Sequence, residues 1–401
     1  MNKKIICHNK NSNLIFILLV CFSCSRSKQM PVDLSVQPEF SFEDSCFYYP
    51  IKDNRITVDL NNPQKASLFE YFKKIDLIPL ETNNEVLIGR MYQIIYHENQ
   101  YYVFDDHRTQ NLIHIFDETG KFISKIDKRG QGPGEYIRVN EMIINPFTGN
   151  IDLLDHRGDI YSYDLSGNFI KKIRVTDPEF LSVHRFVALN EKTYVFYSFF
   201  HQFQIIYYNI EEMKIIHQAY EENSFSSTFS NFSFSYYRGK WYFCRPFDNM
   251  TYMLGNDSLT NAYIWDFGKH NYDLKKIYFS EELLNDYDKI VEEGKRFPYK
   301  IHIQGQNNKY VIAQINTYNE WSNVFYDKSA QIGKFIKNFK ESVLFRPYYV
   351  TNEYVLSYCN HEDLDKYIHE NMIDESNRKK FRDLMNAKEE ENPVLIKYYF
   401  K

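Results

Sequence analysis

Glycine is scarce in this chain, 14 residues in 401, and proline is scarcer at 12. Collagen-like and low-complexity architectures, which depend on those two residues, are thereby excluded. Cysteine numbers six, and beyond residue 24 no Cys-x-x-Cys pair occurs. The longest apolar stretch, Leu14-Ile15-Phe16-Ile17-Leu18-Leu19-Val20, is too short to span a bilayer. Gly-x-Ser-x-Gly, His-Glu-x-x-His and the phosphate-binding P-loop are all missing. Twelve histidines are scattered singly and read as surface or core residues, not as a ligand set. What is abundant is aromatic: 34 Tyr, 33 Phe and 3 Trp, 17% of the chain, a bias that favours pleated, half-buried sheet.

The N-terminus carries Lys3, Lys4 and Lys10, then the short apolar run, then Cys21-Phe22-Ser23-Cys24. That order is a secretory signal. It resembles a bacterial lipoprotein signal, which implies cleavage after Ser23 and lipid on Cys24; Cys21 and Phe22 depart from the usual residues. Losing residues 1–23 removes three lysines and no acid, so the net charge moves from −5 to −8. Mild acidity argues against nucleic acid as a partner. Cys46, Cys244 and Cys359 remain, too far apart in sequence for a disulfide framework or a zinc site, and are expected as buried strand thiols.

Residues 24–71 are expected to form a tether and lead-in, interrupted by Pro31, Pro38, Pro50 and Pro63. From residue 72 to 401 the chain reads as short strands. Tyr101–Asp105, Leu112–Asp117 and Gly120–Ile126 are matched by Ile151–Asp155, Ile160–Asp164 and Gly167–Ile173. Phe116-Asp117 and Tyr163-Asp164 lie 47 residues apart, as do Gly120 and Gly167. A period in the forties with about four short strands marks a propeller blade. Further units follow at Thr193–Ile216, Lys240–Phe267 and Lys309–Ile336, and a sixth begins at Tyr348. The sixth lacks outer strands, and two are available: C-terminal Val394–Phe400 and N-terminal Lys74–Glu81. Pairing them would close the ring without an open edge. The fold class is therefore all-β, a six-bladed β-propeller, with helical insertions expected near 280–295 and 362–390 from their helical apolar spacing.

Three of the glycines fall within five residues, in Lys128-Arg129-Gly130-Gln131-Gly132-Pro133-Gly134-Glu135-Tyr136. If each blade runs a to d from the axis outward, this segment is a d–a connection. It should share a face with the b–c loops Asp106-His107-Arg108 and Asp155-His156-Arg157, which lie 49 residues apart. The candidate site is that rim: Asp106, His107, Arg108, Arg129, Gly130, Gly132, Gly134, Glu135, Tyr136, Asp155, His156 and Arg157. Arginines offer bidentate donors to anionic or polar ligands, and glycine-loop amides can add an anion-binding nest. Gly132 is the position expected to need a positive φ.

Asp117–Gly120, Phe122, Gly130–Tyr136 and Ile151–Asp155 resemble NHL-type repeats. They are most similar to those of six-bladed β-propeller lipoproteins common in Bacteroides-type bacteria. Leu80-Glu81-Thr82, Phe247-Asp248-Asn249 and Asn392-Pro393-Val394-Leu395 fit the same pattern. The resemblance implies a secreted propeller that binds something and no established reaction. The leading expectation is a lipid-anchored envelope propeller binding a protein, peptide or saccharide on one face, with no cofactor. It would lie on the outer membrane, facing the periplasm. The rival is a propeller enzyme, such as a calcium-dependent hydrolase or lactonase, with axial ligands such as Asn140 and Glu141. A structural subunit of an envelope complex is a third expectation.

Overall fold

Strands that are apolar along their whole length, such as Tyr101-Tyr102-Val103-Phe104 and Tyr194-Val195-Phe196-Tyr197, must be covered on both faces. A computed structural model of the chain shows how. It describes residues 49–107, 110–175, 183–198, 203–221, 234–245, 248–271, 300–317, 320–387 and 391–401. All belong to the unit Leu34–Lys401. The signal segment with Cys24, Arg108, Cys46 and the helix expected near 280–295 lie outside the described residues.

Two strands precede the first blade: β1 (Arg55–Thr57) and β2 (Phe72–Pro79). Blade one is β3 (Met91–His97), β4 (Gln100–Asp105), β5 (Leu112–Asp117) and β6 (Phe122–Ile126). Blade two is β7 (Val139–Ile144), β8 (Ile151–Asp155), β9 (Ile160–Tyr163) and β10 (Phe169–Ile173). Blade three is β11 (Val183–Ala188), β12 (Thr193–Ser198), β13 (Phe203–Asn209) and β14 (Lys214–Glu221). Blade four is β15 (Phe234–Tyr237), β16 (Lys240–Cys244), β17 (Met250–Leu254) and β18 (Leu259–Asp266), with β1 added in parallel outside β18. Blade five is β19 (Lys300–Gln306), β20 (Tyr310–Thr317), β21 (Glu320–Asp327) and β22 (Ile332–Ile336). Blade six is β23 (Tyr349–Val350), β24 (Tyr354–Cys359) and β25 (Val394–Phe400), with β2 as its outermost strand. The protein is a six-bladed β-propeller.

The hydrophobic core is divided into six clusters, one at each blade-to-blade interface. That is why the second strands of blades one to three, β4, β8 and β12, are buried almost throughout. The outer strand β10 is exposed over Phe169, Ile170 and Lys171 and half-buried at its end. The ring closes where Ile78, Tyr348, Leu356 and Leu395 of blade six meet Met91, Ile94 and Val103 of blade one.

Closure joins the two ends of the chain. Leu77 pairs with Ile396, Ile78 with Leu395 and Pro79 with Val394. The outer edge of β2 is covered by the expected second insertion, which holds two short helices, α1 (Leu364–Tyr367) and α2 (Glu375–Met385). From α2, Asn377 Oδ1 accepts from the Leu77 amide at 2.9 Å and Lys380 Nζ donates to the Leu77 carbonyl at 2.8 Å. These side chains satisfy edge groups that would otherwise template pairing with another chain.

The segment before β2, read from sequence as lead-in, runs along the outside of three blades. The Val58 amide donates to Asp266 O of blade four, and the Gln64 amide to Phe335 O of blade five. Ser67 then caps a short helical turn before β2 enters blade six. The thiols of Cys244 and Cys359 are buried in β16 and β24, and burial pushes both up to about 12.

Val394, Leu395 and Ile396 are fully buried, and each contributes about 1.5–3 kcal/mol by burial. Deleting residues 392–401 removes that burial, leaves β2 unpaired and opens one edge of β24. The truncated protein should lose its cooperative melting transition and aggregate on size-exclusion chromatography. A monomeric product with unchanged melting would contradict closure by this strand.

Candidate functional site

The glycine loop between β6 and β7 is closed by its own backbone. Gly130 N donates to Tyr136 O, and Tyr136 N to Lys128 O, both at 2.9 Å. Tyr136 is fully buried, and its hydroxyl donates to Asn111 O at 3.1 Å, tying the loop to the β4–β5 connection. The left-handed residue is Gly134, with φ +76°, not Gly132 as the sequence reading expected. A side chain at Gly134 would also run into the Phe169 ring, 2.6 Å from an added Cβ.

The expected anion nest is filled from within. The Glu135 carboxylate accepts from Gly132 N at 2.8 Å and lies so close that a Cβ on Gly130 would sit 1.9 Å from it. Loop amides that might have met a ligand anion meet this carboxylate instead. Arg129 is likewise held, with two hydrogen bonds to Asp127 at 2.7 Å. Those bonds hold the Asp127 carboxyl below its ordinary range.

The two b–c loops meet the glycine loop through Arg138, a residue the sequence reading passed over. Arg138 donates from its side chain to Asp106 at 2.8 Å, and its carbonyl accepts from the His156 amide at 3.0 Å. All three loops therefore share one face. The Asp-His-Arg match itself is out of register by one. Met91 pairs with Asp105 and Val139 with Asp155, so Asp155 corresponds to Asp105, not to Asp106. Both equivalent aspartates are buried and turned into their own loops. Asp155 accepts from the amides of Arg157 at 2.7 Å and Asp159 at 3.0 Å. Burial nevertheless raises its carboxyl above the ordinary value. Asp105 accepts from Gly89, Arg90 and His107 amides at 2.9, 2.9 and 3.1 Å, beside the buried His114 ring. Burial alone would raise it, but His114 and these amides outweigh that and hold it low.

What faces solvent is a cleft of about 530 Å³ between the glycine loop and the outer half of blade two. Of the candidate residues, Arg157, Glu135 and the three glycines line it, together with Gln131, Pro133, Ile137, Tyr161, Lys172 and Arg174. Lys172 is tied to Asp159 at 2.6 Å. Arg157 and Arg174 are exposed, and among the described residues neither guanidinium has an acidic partner. The available signal was strand alternation: Lys172 and Arg174 are two apart at the end of β10, on the face where the d–a loop begins.

The axis holds a second cavity, of about 200 Å³, lined by the innermost strand of every blade. These strands have one edge without a strand partner, and side chains from the preceding blade satisfy it. Tyr348 Oη accepts from Ile94 N at 2.9 Å, Gln93 Oε1 from Met142 N at 3.0 Å, and Glu141 Oε2 from Phe186 N at 2.6 Å. Glu141 lies 3.6 Å from Arg185 Nε, whose guanidinium also donates to Tyr92 Oη. Burial pushes the Glu141 carboxyl up to about 7, against the opposing pull of Arg185.

Calcium does not fit here. It takes about six to eight oxygens. Among the described residues Glu141 is the one carboxylate lining the cavity and is already paired, and Asn140 turns its amide to Val183 O. Among the described residues no three His, Cys, Asp or Glu side chains converge as a metal site.

Residues 53–399 match a family described as a domain of unknown function, DUF4934, and the chain belongs to that family. Its fold is similar to that of a Bacteroides fragilis protein described as exported, with a TM-score of 0.68 at 15% identity, covering 86% of this chain and 99% of that one. It is also similar to a member of the DUF4221 family from Bacteroides vulgatus, with a TM-score of 0.52 at 12% identity, covering 82% of this chain and 96% of that one. Identities this low speak for the fold alone. Among curated proteins none matches the sequence.

Asp105 gives this face a pH dependence. Its folded-state pKa lies below the unfolded value, so its contribution is present above the ordinary carboxylate pKa and lost as pH falls through the folded value. Asp105→Asn should cost about 2 kcal/mol at neutral pH, because buried amides lose a charged acceptor. The gap between wild type and variant, read by urea unfolding, should shrink below about pH 4. A gap independent of pH would show that the carboxylate charge does not matter.

Proposed function

We propose that this member of the family is an exported, lipid-anchored envelope propeller with NHL-like blades that captures an acidic partner on its glycine-loop face. The partner would be a protein, peptide or saccharide bearing carboxylates or phosphates. The observation that carries this reading is the pair of exposed guanidiniums, Arg157 and Arg174, flanking the cleft without acidic partners among the described residues. In a chain of net charge −5 that is a local reversal of sign. Arginine presents a planar fork of donors matched to carboxylate or phosphate, and Tyr161 adds an aromatic wall. Export is supported by the signal-like N-terminus and by fold likeness to a protein described as exported.

The face is tested by binding to immobilised poly-glutamate and polygalacturonate, with dextran as the neutral control. The acidic polymers should be retained and released by salt, because exposed charges are screened. The Arg157→Ala/Arg174→Ala double variant should bind at least about tenfold more weakly, a loss of about 1.4 kcal/mol. Its stability should change by no more than about 0.5 kcal/mol, since both side chains are on the surface. Equal retention by dextran, or undiminished binding by the variant, would refute the reading.

The anchor is tested separately. Native protein should partition with membranes and carry lipid on Cys24, and Cys24→Ala should release it, because several acyl chains, at about 0.8 kcal/mol per buried methylene, hold firmly. Wholly soluble protein with unmodified Cys24 would remove the anchor from the proposal and leave the cleft untouched.

A further inference from the structure

The axial cavity is lined by polar and aromatic side chains from both halves of the ring. Blades one to three contribute Gln93, Glu141 and Arg185 beside Tyr92 and Phe186. Blades four to six contribute Phe234, Tyr236 and Tyr348, the amides Gln304 and Gln306, and no charged residue among those described. Glu141 faces Arg185 at 3.6 Å, so the lining carries an acid and a base side by side. The polar groups both donate and accept. Gln93 uses only its Oε1 on Met142, and among the described residues its amide nitrogen has no partner. Glu141 uses Oε2 on Phe186, while its Oε1 faces Arg185 at a distance longer than a hydrogen bond.

We infer that this cavity is a binding site for an uncharged saccharide of about one ring. A pyranose has an equatorial rim of hydroxyls, each both donor and acceptor, and C–H faces that lie against aromatic rings. It therefore matches a lining that interleaves amides and an acid–base pair with Phe and Tyr rings. A charged ligand would bring a further charge into a buried setting that already pairs one acid with one base, which is costly. A volume of about 200 Å³ is below that of a drug-sized pocket and admits a single ring. The site is distinct from the glycine-loop cleft and independent of the function proposed there.

The test is ligand-observed NMR and calorimetry on the mature full chain, with D-glucose, D-galactose and N-acetyl-D-glucosamine as probes. Glucosamine, gluconate and adenine serve as charged and planar controls. At least one neutral sugar should bind and the controls should not. Ser235 lines the cavity, so Ser235→Phe should fill it and abolish binding. Gln93→Ala removes one polar group with a donor to offer and should weaken binding about tenfold, the loss of one hydrogen bond. Arg157→Ala, outside the cavity, should bind sugar normally. Failure of all three sugars, preference for a charged control or adenine, or binding unchanged in both cavity variants would each overturn the inference.

Discussion

Everything in this fold depends on one antiparallel pairing, β2 against β25. Each blade is a sheet with two apolar faces, and neither can be left wet. In a ring, every face has a neighbour only if the last blade reaches the first. Here that blade is built from both chain ends, so loss of either end opens two faces at once. The fold likewise covers what remains exposed at its edges. Asn377 and Lys380 occupy the rim of β2, and β1 doubles the rim of blade four.

The same edge problem recurs at the axis, and its solution places the polar residues there. An innermost strand has one row of backbone groups turned inward with no strand beside it. Tyr348, Gln93 and Glu141 each reach across to the next blade and take one of those amides. A polar residue in an innermost strand is thus structural through one atom. What it does with its remaining atoms is open to selection, and Glu141 with Arg185 shows how a capping residue can also equip a cavity.

This explains what was legible in the sequence. The strands found from pattern alone were the second, third and outer strands of each blade, because those are the apolar runs and hairpins with regular turns. Asp117 and Asp164 make the same turn, each accepting amides two and four residues on, and the glycines after them take φ +90° and +82°. The innermost strands β3, β7, β11, β15 and β19 went unread. Their apolar alternation is broken by the residues that cap the axis, such as Gln93, Glu141 and Arg185. Strand direction correctly put three loops on one face, yet identity of letters misaligned two of them. Asp-His-Arg occurs twice, but strand pairing matches Asp155 to Asp105. Arg138, the residue that joins these loops, belongs to no repeated triplet and carries no sequence signal of its own.

Register also decides which charges a partner can meet. An aspartate at the end of a second strand is buried and collects amides, as Asp105 and Asp155 do. Glu135 and Arg129 are satisfied within the glycine loop. The acids of the rim are thereby turned inward or matched, while Arg157 and Arg174 are exposed and have no acidic partner among the described residues. An acidic protein acquires a basic cleft not by accumulating cations but by internalising the anions that would have neutralised them. Surface pairs of this kind contribute little to stability, about 0–1 kcal/mol each. The unpaired arginines are therefore not explained by the fold's own needs, and their chemistry is directed outward.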